Sequence, residues 1–179
     1  MYKRQDLENH IIEQDPETIA AMFAEPLMGA GGVIIPPNNY FETIQPILEK
    51  YEIPLIDDEV ICGFGRTGNV WGAETFGMKP VSITVAKALS SSYIPISAVI
   101  ISDDCYDIVA KKSEELGIFG HGYTYSGHPV ACAVGVKTLE IYERDKILEH
   151  VNHVSPTFIE RLKKCDNFEL VGNTRGIGL

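Results

Sequence analysis

Four short apolar runs punctuate the chain: Ile19 to Ala24 (IAAMFA), Ile53 to Ile56 (IPLI), Ser82 to Ala86 (SITVA) and Ile96 to Ile101 (ISAVII). Runs of this length, bounded by polar and turn-forming residues, read as buried strands. Between the first two lies Tyr40 to Tyr51, where Phe41, Ile44, Ile47 and Leu48 recur at helical spacing and Asn38-Asn39 offers a cap. These segments predict a βαβ unit. Further on, Pro129 to Arg144 reads as a long helix with proline in its first turn and a small-residue face suited to close packing. Lys146 to Lys163 reads as a second helix, broken or kinked near Pro156, because proline lacks the amide donor. Phe168 to Val171 is predicted as a last short strand. Apolar runs alternating with helix-length segments define an α/β class with a largely parallel sheet. A domain boundary is expected near Asp145, dividing 6–145 from 146–179. Met1 to Gln5 reads as foreign to the rest of the chain and is excluded from the fold expectation.

Composition narrows the class. With 179 residues, 45% hydrophobic and 22% charged, the chain is long enough for one domain with a substantial core. Lys and Arg number 15 against 25 Asp and Glu, a formal charge of −10, which repels nucleic acid and anionic membrane surfaces. No apolar stretch approaches the roughly 20 residues of a membrane span, and the polar N-terminus has no signal-peptide core behind it. A cytoplasmic location is expected. Cys62, Cys105, Cys132 and Cys165 are widely spaced and form no C-x-x-C pair, which disfavours a zinc ribbon or disulfide framework. His150 and His153 are the one spaced histidine pair, but they lie in a charged, helix-like segment with no third ligand nearby, so a solvated face is favoured over a metal site.

In parallel sheets, ligands bind outside the carboxyl ends of the strands. Glu25-Pro26 follows the first run, Asp57-Asp58-Glu59 the second, and Lys87 the third. Taken singly, each charge reads as half of a structural ion pair. If the strands are neighbours, a carboxylate and a lysine share one crevice. No acidic residue stands between Val81 and Ile101, so Lys87 has no local partner. A desolvated lysine of this kind is a competent amine nucleophile toward carbonyl compounds. The alternative is a lysine whose stem is buried while its ammonium reaches solvent. Gly63 to Gly68 fits G-x-G-x-x-G, but no helix is predicted after it and no acidic residue stands at a second strand end about 20 positions on, so a dinucleotide reading fails on context.

Together with the 121–129 run HGYTYSGHP, these motifs resemble those of the class III, or ω-amino-acid, pyridoxal-phosphate-dependent aminotransferases. The resemblance extends from about Ile19 to the end of the chain. It implies a fragment of the large domain of a fold-type I transferase, a mostly parallel sheet flanked by helices, plus the start of the small C-terminal α/β domain. Asp58 matches the carboxylate facing the cofactor's pyridine nitrogen, and Val60 the residue packing on the ring face. Lys87 matches the internal-aldimine lysine, which also moves the proton between substrate and cofactor. Thr124 matches a phosphate ligand that reaches into the neighbouring subunit's site. Glu25 is similar to a glutamate near the cofactor hydroxyl and the substrate side, a looser match. Strand alternation puts Asp57 and Asp58 on opposite faces, so one of them reaches the ring, and the triplet Asp58-Glu59-Val60 favours Asp58.

The resemblance thus implies pyridoxal 5′-phosphate as cofactor, amine and keto-acid substrates such as pyruvate, and a homodimer. An aminomutase, racemase or decarboxylase with the same lysine and aspartate stays open, as does a truncated, non-catalytic remnant. The family's N-terminal phosphate-cradling loop, its ring-stacking aromatic and its C-terminal substrate arginine have no counterpart here. The 179-residue polypeptide alone is therefore expected to be poorly soluble and inactive.

Overall fold

The computed structural model describes residues 2–179, with side chains from Gln5 onward. A four-stranded sheet runs in the order β1 (Met22–Ala24), β2 (Leu55–Asp58), β3 (Ser82–Val85) and β4 (Ala98–Ile101). The first three strands are parallel, in the register Met22 against Leu55, Ile56 against Ser82 and Asp58 against Thr84. β4 closes antiparallel on β3, with Ser82 opposite Ile101 and Val85 opposite Ala98. The mainly parallel α/β expectation holds, and the strands are shorter than their apolar runs. Ile19 caps a short 3-10 turn, Pro16–Thr18, before β1 begins.

A parallel pair needs a crossover rather than a tight turn. Helix α2 (Tyr40–Lys50) supplies it between β1 and β2, as the sequence predicts. Phe41, Ile44, Ile47 and Leu48 are at most 3% exposed and join Ile53, Leu55 and Ile11 in one cluster. Asn39 stands at the helix start with left-handed backbone (φ 60°) but makes no side-chain capping bond. Ile11 comes from α1 (Tyr2–Glu13), with Leu7 packed beside it. The Glu8–Lys50 pair at 2.6 Å lies at the surface, where such pairs add little, so apolar contact is what seats α1 on α2.

The other face of the sheet is uncovered. Following the register, Phe23, Ile56, Asp58, Thr84 and Val99 share it, and Phe23 and Val99 are 67% and 65% exposed. All of β4 is exposed, and helix α4 (Asp103–Leu116) buries no residue. Helices α5 (Pro129–Arg144) and α6 (Ile147–Lys163) come next, separated by Asp145 and Lys146.

Three expectations are corrected. Phe168 to Val171 is not a strand: after a 3-10 turn, Lys164–Asn167, the chain leaves Phe168 and Leu170 exposed with no neighbouring strand to pair with. The residues set aside at the N-terminus form the first turns of α1, which is continuous from Tyr2; Met1 lies outside the described residues. Helix α6 passes unbroken through Pro156. Both Pro156 and Asn152 are exposed, so water can bond the Asn152 carbonyl that the missing proline amide leaves free. Helix α4 and the five-residue α3 (Gly72–Phe76) were not predicted.

The one-sided core gives a direct test. Ile44→Ala is expected to cost about 2–5 kcal/mol through lost burial and a residual cavity, whereas Val99→Thr on the open face should stay within about 0.5 kcal/mol. Urea midpoints at constant slope measure both, and similar losses would show that the second face is packed after all.

Candidate active site

The parallel pairing delivers three strand ends to one edge of the sheet. Glu25 follows β1 directly, Asp58 is the last residue of β2, and Lys87 comes two residues after the end of β3. Glu25 and Asp58 line one cleft of about 600 Å³, together with Phe23, Pro26 and Tyr40. The Gly29 amide donates to Glu25 Oε2 at 3.0 Å, and the Val60 amide to Asp58 Oδ1 at 3.0 Å, so each carboxylate is fixed by the turn after its strand. Val60 is half-buried beside Asp58.

Lys87 opens a 3-10 turn, Lys87–Leu89, on the strand next to Asp58: Asp58 pairs with Thr84, three residues before the lysine. It borders a smaller pocket of about 230 Å³ with Ser90, Ser92 and Ile94. The expected desolvation is absent, for Lys87 is exposed. Its backbone is unusual, with φ at 41°, and Ser91 and Ser92 lie at 48° and 65°. Non-glycine residues held in this region carry strain of about 1–3 kcal/mol each and persist where surrounding contacts impose them, a pattern concentrated at functional sites. Thr124 lines neither pocket. It lies in an exposed turn of segment 117–128, where the Tyr123 amide bonds Ser126 Oγ.

A buried acidic pair lies behind this edge, and the sequence motifs gave it no role. Asp57 is fully buried with neither oxygen hydrogen-bonded, and Glu59, 1% exposed, accepts from the Ala73 amide at 2.8 Å while its Oε2 is unpartnered. Burial, reinforced by the Glu59 and Asp58 carboxylates, pushes the Asp57 carboxyl up to about 8. Burial likewise pushes the nearby Cys62 thiol up to about 11, and its sulfur donates to the Leu27 carbonyl at 3.5 Å. The signal was present: the alternation that turns Asp58 to the open face turns Asp57 inward.

The glycine motif serves packing. Gly65 and Gly68 adopt φ of 102° and 98°, and a Cβ at residue 68 would stand 2.4 Å from Asn152 Oδ1 on α6. Asn152 Nδ2 donates to the Gly68 carbonyl at 2.8 Å. The next helix, α3, has five residues and is capped by the buried Glu59, so this loop does not open the long helix of a dinucleotide site. His150 and His153 stand exposed on α6, the four cysteines are free thiols, and no group of three or more His, Cys, Asp or Glu among the described residues is placed to hold a metal ion. No helix among the described residues is long and apolar enough to cross a membrane.

A mainly parallel α/β sheet with an amine and two carboxylates at its carboxyl edge is a fold-type I transferase architecture, and the comparisons place it more narrowly. The family model for class-III aminotransferases matches residues 2–179, and the chain belongs to that family. It is 55% identical over 174 residues to gamma aminobutyrate transaminase 3, chloroplastic, of Solanum lycopersicum, covering 97% of this chain and 34% of that protein. It is 51% identical to a probable mitochondrial gamma-aminobutyrate transaminase 3 of Oryza sativa subsp. indica over the same shares. Among solved structures, an omega transaminase from Pseudomonas jessenii in complex with PMP matches with a TM-score of 0.95 at 48% identity, over 98% of this chain and 39% of that one. The chain thus spans about a third of the length of these curated relatives. The match also includes the residues set aside at the N-terminus. Class-III aminotransferases use pyridoxal 5′-phosphate.

The buried carboxyl makes stability depend on pH. Asp57 binds its proton more tightly folded, at about 8, than at its ordinary value of 3.8, so the folded state holds the extra proton between those values. Stability should therefore fall as pH rises from about 4 to about 8 and level off above. Asp57→Asn should flatten this slope and raise the urea midpoint at pH 8 relative to the parent; parallel curves for the two proteins would rule the acid out as its source.

Proposed function

We propose that this chain carries the cofactor-bearing lysine and the ring-nitrogen carboxylate of a pyridoxal-phosphate-dependent transaminase, which moves an amino group from an amine or ω-amino acid to a keto acid such as pyruvate. The observation that supports this most is the placement of Glu25, Asp58 and Lys87 at the carboxyl ends of adjacent parallel strands. The donor set fits the cofactor chemically: a primary amine for its carbonyl, and on the next strand a carboxylate for its pyridine nitrogen. When bound, the cofactor supplies a conjugated electron sink for the electron pair left behind at the substrate carbon.

In this reading Lys87 Nζ is the covalent attachment point and, once the amino donor displaces it, the base that carries the proton between substrate and cofactor carbons. Asp58 keeps the ring nitrogen protonated, held in place by the Val60 amide, while Val60 packs against the ring. Glu25, fixed by Gly29 in the same cleft as Asp58, faces the substrate side. The exposed Thr124 turn supports a homodimer in which Thr124 binds phosphate in the partner's site. The short Asp145-Lys146 link supports a division of the longer protein there, 6–145 from 146–179. The names of the relatives point to γ-aminobutyrate as one donor of the proposed class, and their chloroplastic and mitochondrial names make an organelle a competing location to the cytoplasm.

In the natural protein that carries this segment, borohydride reduction with pyridoxal 5′-phosphate bound, followed by peptide mapping, should place the pyridoxyl group on Lys87; a dominant label on Lys79 or Lys111 would overturn the assignment. In that protein, Asp58→Asn should keep that label while lowering kcat by on the order of 10²–10³, the scale of losing one strong electrostatic stabiliser. Subunit mixing tests the partnership. A Lys87→Ala subunit paired with a Thr124→Ala subunit should leave one site intact and one doubly impaired, and equal impairment of both sites would mean that Thr124 acts within its own subunit.

A further inference from the structure

Helix α5 lies against the turn that carries Lys87. Ala131, Gly135 and Thr138 form its buried stripe, and Tyr142 continues that stripe a turn further on. A Cβ at residue 135 would stand in ordinary contact with Ile96 Cδ1 at 3.6 Å and the Leu89 carbonyl at 3.9 Å, which places this face of α5 directly over the turn. Tyr142 Oη then donates to the Ala88 carbonyl at 2.6 Å and lies 2.6 Å from Ser91 Oγ. A phenol has one proton, and the carbonyl can only accept, so that proton goes to Ala88 and the Ser91 hydroxyl donates to Tyr142 Oη.

This bond meets the backbone where it is strained. Residues 87, 91 and 92 have φ of 41°, 48° and 65°. The remaining bonds on this segment are local: Leu89 amide to Ala86 carbonyl, Ser90 amide to Lys87 carbonyl, Ser91 amide to Ala88 carbonyl, Tyr93 amide to Ser90 carbonyl, and Ser90 Oγ to Ile94 carbonyl. Among the described residues, the hydrogen bonds that reach residues 86–92 from another element come from Tyr142 alone. A lysine exposed to solvent, with no ion-pair partner, has little besides its backbone to direct it.

We propose that Tyr142 is a positioning residue for Lys87, fixing through the Ala88 carbonyl and Ser91 the left-handed turn that aims the amine at the cofactor's carbonyl. This rests on the transaminase reading. Without the phenol, the turn can relax toward right-handed φ, and the Cα–Cβ direction of Lys87 swings with it.

Tyr142→Phe keeps the ring and its contact with Phe64 and removes only the hydroxyl. The natural protein that carries this segment is incubated with pyridoxal 5′-phosphate across a pH series and trapped with borohydride, and the label on Lys87 is read relative to Lys111 by mass spectrometry. The Lys87 to Lys111 ratio should fall about fivefold in Tyr142→Phe, the scale of one neutral hydrogen bond, and in the same direction in Ser91→Ala. Amide exchange at Ser91 should quicken in both variants. A role confined to stability would lower the thermal midpoint and leave the ratio unchanged, which overturns the proposal. Ser91→Ala, at an exposed position, carries the test if Tyr142→Phe fails to fold, and an unchanged ratio there overturns it equally. Failure of the underlying reading looks different: Lys87 would then show no preference over Lys111 in the unsubstituted protein.

Discussion

Because β1, β2 and β3 run parallel, the chain must return along a helix after β1 before it can hydrogen-bond the next strand, and these three strands then end at the same edge of the sheet. That geometric demand produces both the core and the candidate site. The returning helix α2 contributes Phe41, Ile44, Ile47 and Leu48 to the core, so much of what stabilises the described fold lies in the segment that the parallel arrangement requires. The same arrangement lets three short strands with apolar interiors each present one charged side chain at or just beyond the last ladder bond, where backbone pairing no longer requires an apolar neighbour. Reversing any one of these strands would carry its charge to the opposite end.

A single-residue step along β2 separates two carboxylates with opposite behaviour. Asp58 faces an open cleft and receives the Val60 amide, whereas the Asp57 carboxyl faces inward beside Glu59 with no donor to either oxygen. A buried carboxylate without a donor is costly, so the inward acid is favoured in its neutral form. Glu59 in turn holds the Ala73 amide at the start of α3, so the acidic triplet anchors the loop behind the strand edge as well as supplying the edge itself.

Much of this was legible in the sequence, and the errors have identifiable causes. α2 and α5 were read correctly because their apolar or small residues recur at helical spacing and their ends carry clear signals. The strand-end charges were found because a parallel sheet tells one where to look. α4 was missed although Ser102, Asp103, Asp104 and Gly117 are good start and stop signals, and it buries no residue. Phe168 to Val171 has the apolar content of a strand but no neighbour, and pairing is a property of two segments. The exposure of Lys87 was misjudged because a lack of nearby acids in sequence says nothing about which layer covers a strand. Tyr142 could not have been found from sequence at all, since its partner Ala88 is 54 residues away and offers a main-chain carbonyl that leaves no trace in residue identity.

The fit of Gly68 against Asn152 ties the histories of two distant positions together. A methyl group at residue 68 would collide with the Asn152 amide oxygen at 2.4 Å, and the carbonyl of residue 68 accepts from that same side chain, 84 positions along the chain. Any side chain accepted at 68 would need a smaller or re-aimed partner at 152. A shortened residue at 152 that arose first would leave the loop carbonyl without its donor. A change at either position alone thus costs a re-aimed side chain or a lost hydrogen bond, which couples the two positions through the loop after β2 rather than through the chemistry at the strand edge.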